Sequence, residues 1–249
     1  MKLTIATWNM RGRRSNWPLV PLIGADVVLL QEAPPPPPQF EGTAHLAPFD
    51  DGRRPWGTGI WARDLQIEPL PPSSSRRLPP TWPGTVAVAE IRAPSGGILT
   101  AVSVHAVGDH HPIRSRDDGY STSTLHHALS DLTGYLADRS RHGRMRGHSL
   151  NRLILGGDLN INPGWDQRKG NSACRNALER IEAWGLTSVL PIQPDRTYET
   201  CPRAPYPQID YLFVRDDDEV TAAVLDGDPF DPASDHRPVT ARLELRNAR

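Results

Sequence analysis

Acidic, amide and imidazole side chains recur where apolar runs stop. Asn9 ends the run that starts at Leu3, Gln31 and Glu32 follow Val27–Leu30, and His105 follows Leu99–Val104. Asp158 and Asn160 come just after Leu153–Leu155, Asp210 stands in the run 209–214, and Ser234, Asp235 and His236 precede the last apolar stretch. Glu32, Asp158, Asp210 and Asp235 cannot all stay ionised at close range without a cation. Their oxygens suit a hard ion, Mg2+ or alternatively Mn2+, better than zinc. His105, His236, Asn9 and Asn160 add donors for a phosphate or a developing oxyanion. An oxygen-held metal, a polarised water and cationic donors are the means of phosphate-ester hydrolysis. Taken singly, each residue has a plainer reading. Asn9 is a turn or cap residue, Glu32 the first solvated position after a strand, and His105 a hydrogen-bonded core histidine. Asp158-Leu159-Asn160 is an Asx turn and Asp235-His236 a cap pair. Their shared place at strand ends is what joins them, because strand ends in layered α/β proteins converge on one rim where ligands bind.

The elements that must position them follow from periodicity. Residues 2–8 alternate as a strand, and Val27–Leu30 has the unbroken apolar character of a strand buried on both faces. Between them, Asn16 and Pro18 open a short helix ending near Gly24. Residues 85–91 and 98–104 flank Pro94-Ser95-Gly96-Gly97 as a hairpin. Leu125, Leu129, Leu132 and Leu136 set a helix over Ser121–Asp138, and a second helix spans about 172–184. Leu153–Leu155 is a buried strand, and further strands cover 209–214, 220–225 and 238–245. Five prolines at 34–38 and the Pro/Ser/Arg-rich stretch 71–83 are connectors. Strands alternating with helices make an α/β protein.

Composition bounds the function. The chain has 249 residues, 37% hydrophobic and 23% charged, with 26 Pro and 20 Gly. That is globular, turn-rich and long enough for a substantial core. No composition break divides it, so one domain over 1–249 is expected. A net charge of -1 excludes a polycation, so a nucleic-acid partner needs a local basic patch. Cys174 and Cys201 form no CxxC and no Cys/His cluster, against a zinc site or disulfide scaffold. The N-terminus lacks an apolar signal region, and Leu19–Leu30 is broken by Pro21, Gly24 and Asp26. No membrane span and a cytoplasmic location are therefore expected.

The order Trp8-Asn9, Gln31-Glu32, Gly59-Ile60, His105, Gly157-Asp158-Leu159-Asn160, Ile209-Asp210-Tyr211 and Ser234-Asp235-His236 resembles the endonuclease/exonuclease/phosphatase superfamily. The resemblance runs from residue 3 to about 245, and rests on G-D-L-N and S-D-H occurring together. It implies a four-layer α/β sandwich, with two packed, mixed, mainly antiparallel sheets and helices on the outer faces. It implies Glu32 as the main metal carboxylate, with Asn9 and Asp235 beside it. Asp158 would position or deprotonate the attacking water, and Asn160 would hold that water or the phosphate. His236, oriented by Asp210, would contact the scissile phosphate, as general acid or as electrostatic clamp. His105 would be a second phosphate-side donor or leaving-group acid. Two departures point away from abasic-site repair. Arg11 stands where abasic-site endonucleases carry Asp, and His105 where they carry Tyr. The segment from Ser103 to Asp109 is similar to the deoxyribonuclease I and cytolethal distending toxin branch, although no motif marks a glutamate partner for His105.

For the substrate, Arg11, Arg13 and Arg14 follow Asn9, and the acid-free stretch 139–152 includes Arg144 and Arg146. Arginine binds phosphate bidentately, so these clusters fit a polyanion such as DNA or RNA. An ordinary solvated loop is the plainer reading. The rivals are an inositol-phosphate phosphatase or sphingomyelinase-like phosphoesterase and, from another class, a non-catalytic phosphate- or protein-binding module. A monomer is expected.

Overall fold

The computed structural model describes residues 2–48, 55–70, 84–94, 96–106, 121–141, 152–192, 199–202, 208–215 and 219–244. Twelve strands within them form two six-stranded sheets. In chain order the elements are β1 (Lys2–Asn9), β2 (Val27–Ala33), β3 (Thr43–Pro48), β4 (Gly57–Ala62), β5 (Gln66–Pro69), β6 (Val86–Arg92), β7 (Ile98–His105), α1 (Ser121–Arg141), β8 (Leu153–Asp158), α2 (Pro163–Lys169), α3 (Ala173–Glu182), β9 (Leu186–Ser188), β10 (Asp210–Arg215), β11 (Glu219–Val224), α4 (Phe230–Ala233) and β12 (Val239–Glu244). The first sheet runs β11-β12-β1-β2-β4-β3 and the second β5-β6-β7-β8-β10-β9.

Each sheet has a parallel pair at its centre, β1 with β2 and β7 with β8, and its other pairings are antiparallel. A parallel pair delivers both C-terminal ends to the same edge. Asn9 and Gln31 are therefore in register on one sheet, and His105 and Asp158 on the other. The expected four layers are present. Between the sheets, Ile5, Leu29 and Ile60 meet Ala87, Ala101, Ile154 and Leu212. On the outside of the second sheet, Leu125, Leu129 and Leu132 of α1 and Leu178 and Ile181 of α3 cover Val102, Leu155 and Phe213. Burial of such aliphatic side chains supplies about 1.5–3 kcal/mol each against the entropy of ordering the chain.

The outer face of the first sheet departs from expectation. The helix expected from Asn16 to Gly24 is two 3-10 segments, Arg14–Leu19 and Pro21–Ile23. Pro18 lies inside the first segment rather than at its start. Pro18 and Pro21 each remove an amide donor, so no run of α-type hydrogen bonds can build between them. These turns and the single-turn α4 place Met10, Trp17, Val20 and Phe230 over Trp8, Leu30 and Trp61. Strands β3, β4, β5 and β9 and helix α2 were also not foreseen. Helix α2 carries a start signal, because the Asn162 side chain accepts the Gly164 N–H and Pro163 follows it. The expected helix over Ser121–Asp138 extends to Arg141, so the stretch 139–152 begins helical, and residues 142–151 lie outside the described ones. Residues 34–37 belong to no regular element, as expected of polyproline. No described helix is long and apolar enough to cross a membrane. Cys174 and Cys201 are buried free thiols.

Two glycines at the end of β8 allow close packing, Gly156 between the sheets and Gly157 within its own sheet. A Cβ on Gly156 would meet Leu212 Cδ1 at 2.9 Å, Leu29 Cδ1, from the facing sheet, at 3.0 Å, and the Tyr211 carbonyl oxygen at 3.0 Å. A Cβ on Gly157, at φ +153°, would lie 1.7 Å from the Val104 carbonyl oxygen, which cannot yield because it belongs to the adjacent strand. Gly156→Ala is expected to fold with a loss of about 1–3 kcal/mol in urea denaturation, since two leucine tips can shift and the Tyr211 oxygen need give only slightly. Gly157→Ala is expected to lose more than about 4 kcal/mol or to yield no folded protein. Equal stability of the two variants would contradict this packing.

Candidate active site

Three neighbouring strands set one row of the site. His105 on β7 pairs with Asp158 on β8, and Asp158 pairs with Asp210 on β10. The side chains of all three are almost fully buried. Two backbone N–H groups, of Ile209 and Asp210, donate to Thr200 Oγ1 at 3.2 Å and fix the start of β10. From the facing sheet come Asn9 and Glu32. The ladder between β2 and β4 shifts register between Leu30 and Ala33, and Glu32 sits there at φ +47°. A β-bulge re-aims one side chain without ending the strand. Glu32 is thus not the first solvated residue after a strand, but a strand residue turned toward the opposite sheet.

Asn9 joins the two halves. Its Nδ2 donates to Asp158 Oδ2 at 3.0 Å and, more weakly, to Glu32 Oε1 at 3.5 Å, while its Oδ1 accepts the Arg11 N–H at 2.8 Å. It therefore presents nitrogen rather than oxygen to the carboxylates. His105 Nε2 is 3.7 Å from Glu32 Oε1 and 3.8 Å from Asp158 Oδ2. His236 Nδ1 lies 2.9 Å from Asp210 Oδ2, and its Nε2 lies 3.8 Å from Asp158 Oδ2. The segment carrying His236 is tied to β1 at two points and braced by one bond within itself. Trp8 Nε1 donates to the His236 carbonyl, Ser234 Oγ donates to the Asn9 carbonyl, and the His236 N–H donates to Ser234 Oγ.

The expected residues thus converge in part. Asn9, Glu32, His105, Asp158, Asp210 and His236 are brought together. Asp235 faces Arg11, with Oδ1 3.5 Å from Nε. Asn160, at φ +50°, closes an Asx turn by donating its N–H to Asp158 Oδ1, and its Nδ2 donates to the Ala106 carbonyl. Arg144 and Arg146 lie outside the described residues. Two neighbours of these residues carried no functional signal in the sequence. Thr200 carried no pattern of its own. Trp56 had a position as its only signal, one residue before β4, and its ring centroid lies 5.5 Å from that of His105.

Burial and neighbouring charge set the protonation states. Burial pushes the Asp158 carboxyl up to about 6 and Asp210 adds to the rise, against the pull of His236, His105 and the Asn9 hydrogen bond. Burial opposes a charge on His236, yet Asp210 and Asp158 outweigh it and hold the imidazolium well above its ordinary value. Just above pH 6, an ionised carboxylate therefore faces a protonated imidazole.

Comparison with known proteins agrees with this architecture. The model of the Endonuclease/Exonuclease/phosphatase family matches residues 6–236. The chain belongs to this family. Family members are hydrolases of phosphoester bonds that use divalent metals, and the protein is a phosphoester hydrolase. Among solved structures, it is similar to an AP endonuclease from Leishmania major, at a TM-score of 0.68 and 14% identity over 98% of this chain and 88% of the other. The endonuclease domain of TRAS1, a telomere-specific non-LTR retrotransposon, gives 0.64 and 17% over 99% and 100%. D. rerio TDP2 complexed with single-strand DNA product gives 0.59 and 18% over 98% and 99%. Comparison with curated proteins gives no match.

A family metal fits the donors present. Asp158, Asp210 and His236 each offer a ligand atom within 4.8 Å of the others, but both Asp210 oxygens lie within 3.0 Å of His236 Nδ1. The Glu32 side chain, 25% exposed and 3.7 Å from His105 Nε2, offers carboxylate oxygens to an ion that keeps part of its hydration shell, and Asp235, 28% exposed, lies against Arg11. A cation there also offsets the repulsion that raises Asp158. The Asp210–His236 pair makes a direct prediction. In an NMR titration in EDTA, the His236 ring titrates well above its ordinary value, and Asp210→Asn lowers it, because burial is then opposed only by Asp158 and, more weakly, Cys201. A His236 titration unmoved by Asp210→Asn would contradict the assigned cause.

Proposed function

We propose that the protein is a Mg2+-dependent phosphodiesterase that cleaves nucleic acid, most simply as an endonuclease on DNA, through attack of water on phosphorus. The observation that carries this reading is the pairing of acid and base. His236 Nε2 is 3.8 Å from Asp158 Oδ2, and Asp210 holds the far side of the ring. Asp158 accepts the proton of the attacking water, which its raised pKa favours near neutrality. Protonated His236 binds a phosphoryl oxygen, whose charge grows in the transition state. Asp210 keeps the ring in one tautomer and one orientation, and Asn9 orients Asp158 and Glu32. His105 stands on the side of Glu32 and stabilises the departing oxygen. Asn160 holds the turn that aims Asp158. Glu32 would hold the divalent ion, and Asp235, against Arg11, would add a second carboxylate. When bound, that ion supplies a Lewis acid that neutralises phosphoryl charge.

A nucleic-acid substrate is supported by Arg11 at the mouth of the site. Its side chain is 41% exposed, and its φ of +53° turns it out of the strand direction next to Asp235. A solved relative carries single-strand DNA product. Arg11 would contact a phosphate flanking the scissile one.

The test is hydrolysis of plasmid, single-stranded DNA, RNA, inositol phosphates and sphingomyelin in Mg2+, Mn2+ or EDTA, by the wild type and Glu32→Gln. Cleavage of nucleic acid that needs metal and falls at least about 100-fold in Glu32→Gln is expected. Mg2+ should also raise the melting temperature of the wild type, since a ligand of the folded state stabilises it, and that rise should vanish in Glu32→Gln. Turnover confined to the phosphorylated small molecules or the lipid would overturn the nucleic-acid reading. An unchanged rate in Glu32→Gln would overturn its metal role.

A further inference from the structure

Trp56 stands at the rim between the two halves of the site and takes no part in the hydrolysis proposed above. It precedes Gly57, which pairs with Ala33 one residue beyond Glu32. Its indole lies over the loop that follows Asn9. A Cβ on Gly12 would come within 2.8 Å of Trp56 Cδ1, so only a glycine allows this approach, and Gly12 sits at φ +64°. On the other side, its ring is tilted 51° to His105 at a centroid separation of 5.5 Å. The indole is thus wedged at one edge between a first-sheet loop and a second-sheet imidazole, and is partly exposed. Arg11, adjacent to Gly12, places a guanidinium on the same rim.

Trp17 and Trp61 lie in the core, fully or almost fully buried, with their N–H groups donating to backbone carbonyls. Trp56 instead borders a cluster of carboxylates and imidazoles, where an apolar side chain adds nothing to phosphate chemistry. A rigid aromatic face beside a cation, at the edge of a phosphate-cleaving site, matches how unstacked nucleobases are held. We propose that Trp56 is a stacking platform for the nucleobase adjoining the scissile phosphate. This rests on the nucleic-acid reading above and deepens it. Since a stacked duplex offers only base edges, the platform calls for a single-stranded or unpaired nucleotide next to the cleavage point.

The experiment is steady-state kinetics in Mg2+ on a short single-stranded oligonucleotide. A baseless tetrahydrofuran nucleotide is moved through each position around the cleavage site. Wild type, Trp56→Ala, Trp56→Phe and Trp56→Leu are compared, the last keeping apolar bulk without an aromatic face. Trp56→Ala and Trp56→Leu are expected to raise KM on the order of 10-fold, with kcat changed less, and Trp56→Phe should restore most of the loss. Removing the base at one position should cost the wild type the same factor and cost Trp56→Leu nothing further. Base removal and substitution acting independently would overturn the stacking role, as would an unchanged KM or an equal loss of kcat on all oligonucleotides. Failure of the wild type to cleave any nucleic acid would overturn the nucleic-acid reading and this platform together. Cleavage without the shared loss would overturn the platform alone.

Discussion

The hydrogen bond from Asn9 to Asp158 spans the two sheets, and much of the site hangs on it. Asp158 is a carboxylate almost without solvent, with a second carboxylate, Asp210, in register on the next strand. Such a group stays charged only if donors and cations surround it. Asn9 reaches it from the facing sheet, the Asn160 N–H from its own turn, and His105 and His236 from either side. The sheets must therefore close to hydrogen-bond distance at this end. Behind the site, a second polar link holds the same closure. Thr7 Oγ1 donates to Gln31 Oε1, Gln31 Nε2 donates to Ser103 Oγ, and Ser103 Oγ donates to the Leu30 carbonyl, all of it buried. Buried and satisfied, this chain costs little and fixes one arrangement of the sheets.

The topology explains why the chemistry gathers at one edge. Central parallel pairs aim four strand ends, those of β1, β2, β7 and β8, toward one rim. The antiparallel β10 then begins where β8 ends, which puts Asp210 opposite Asp158. The small residues follow from closeness. Ala87, Ala89 and Ala101 line the inner face of the second sheet, and Gly156 admits a leucine from each sheet. Strain gathers at the site as well. Arg11, Glu32 and Asn160 are described non-glycine residues with positive φ, and each sits at or beside the carboxylate cluster.

Much of this was legible in the sequence, for physical reasons that differ by residue. β1, β2, β7 and β8 announced themselves because a strand covered on both faces must be nearly all apolar, so a polar residue at its end stands out. Glu32 was legible as a residue but not in its setting, because a bulge depends on the partner strand β4, whose glycine-rich run GTGIWA carries little strand signal. The short turns over Trp8 and Leu30 read as a helix because their apolar spacing is helical, while Pro18 and Pro21 set the actual geometry. Thr200 and Trp56 could not be read, since neither belongs to a patterned run and Trp56 meets His105 from far along the chain.

The proposed reaction makes residues from the two sheets one chemical unit for metal-dependent cleavage of phosphodiesters. Its most direct test is a double-substitution cycle across the sheets, Glu32→Gln with His236→Ala, read as kcat/KM on an oligonucleotide in Mg2+. Groups that act together are not additive, so each single change should cost at least about 100-fold and the pair little more than the worse single change. Losses that multiply independently would contradict a shared site, and undiminished activity in either single variant would contradict the assignment of that residue.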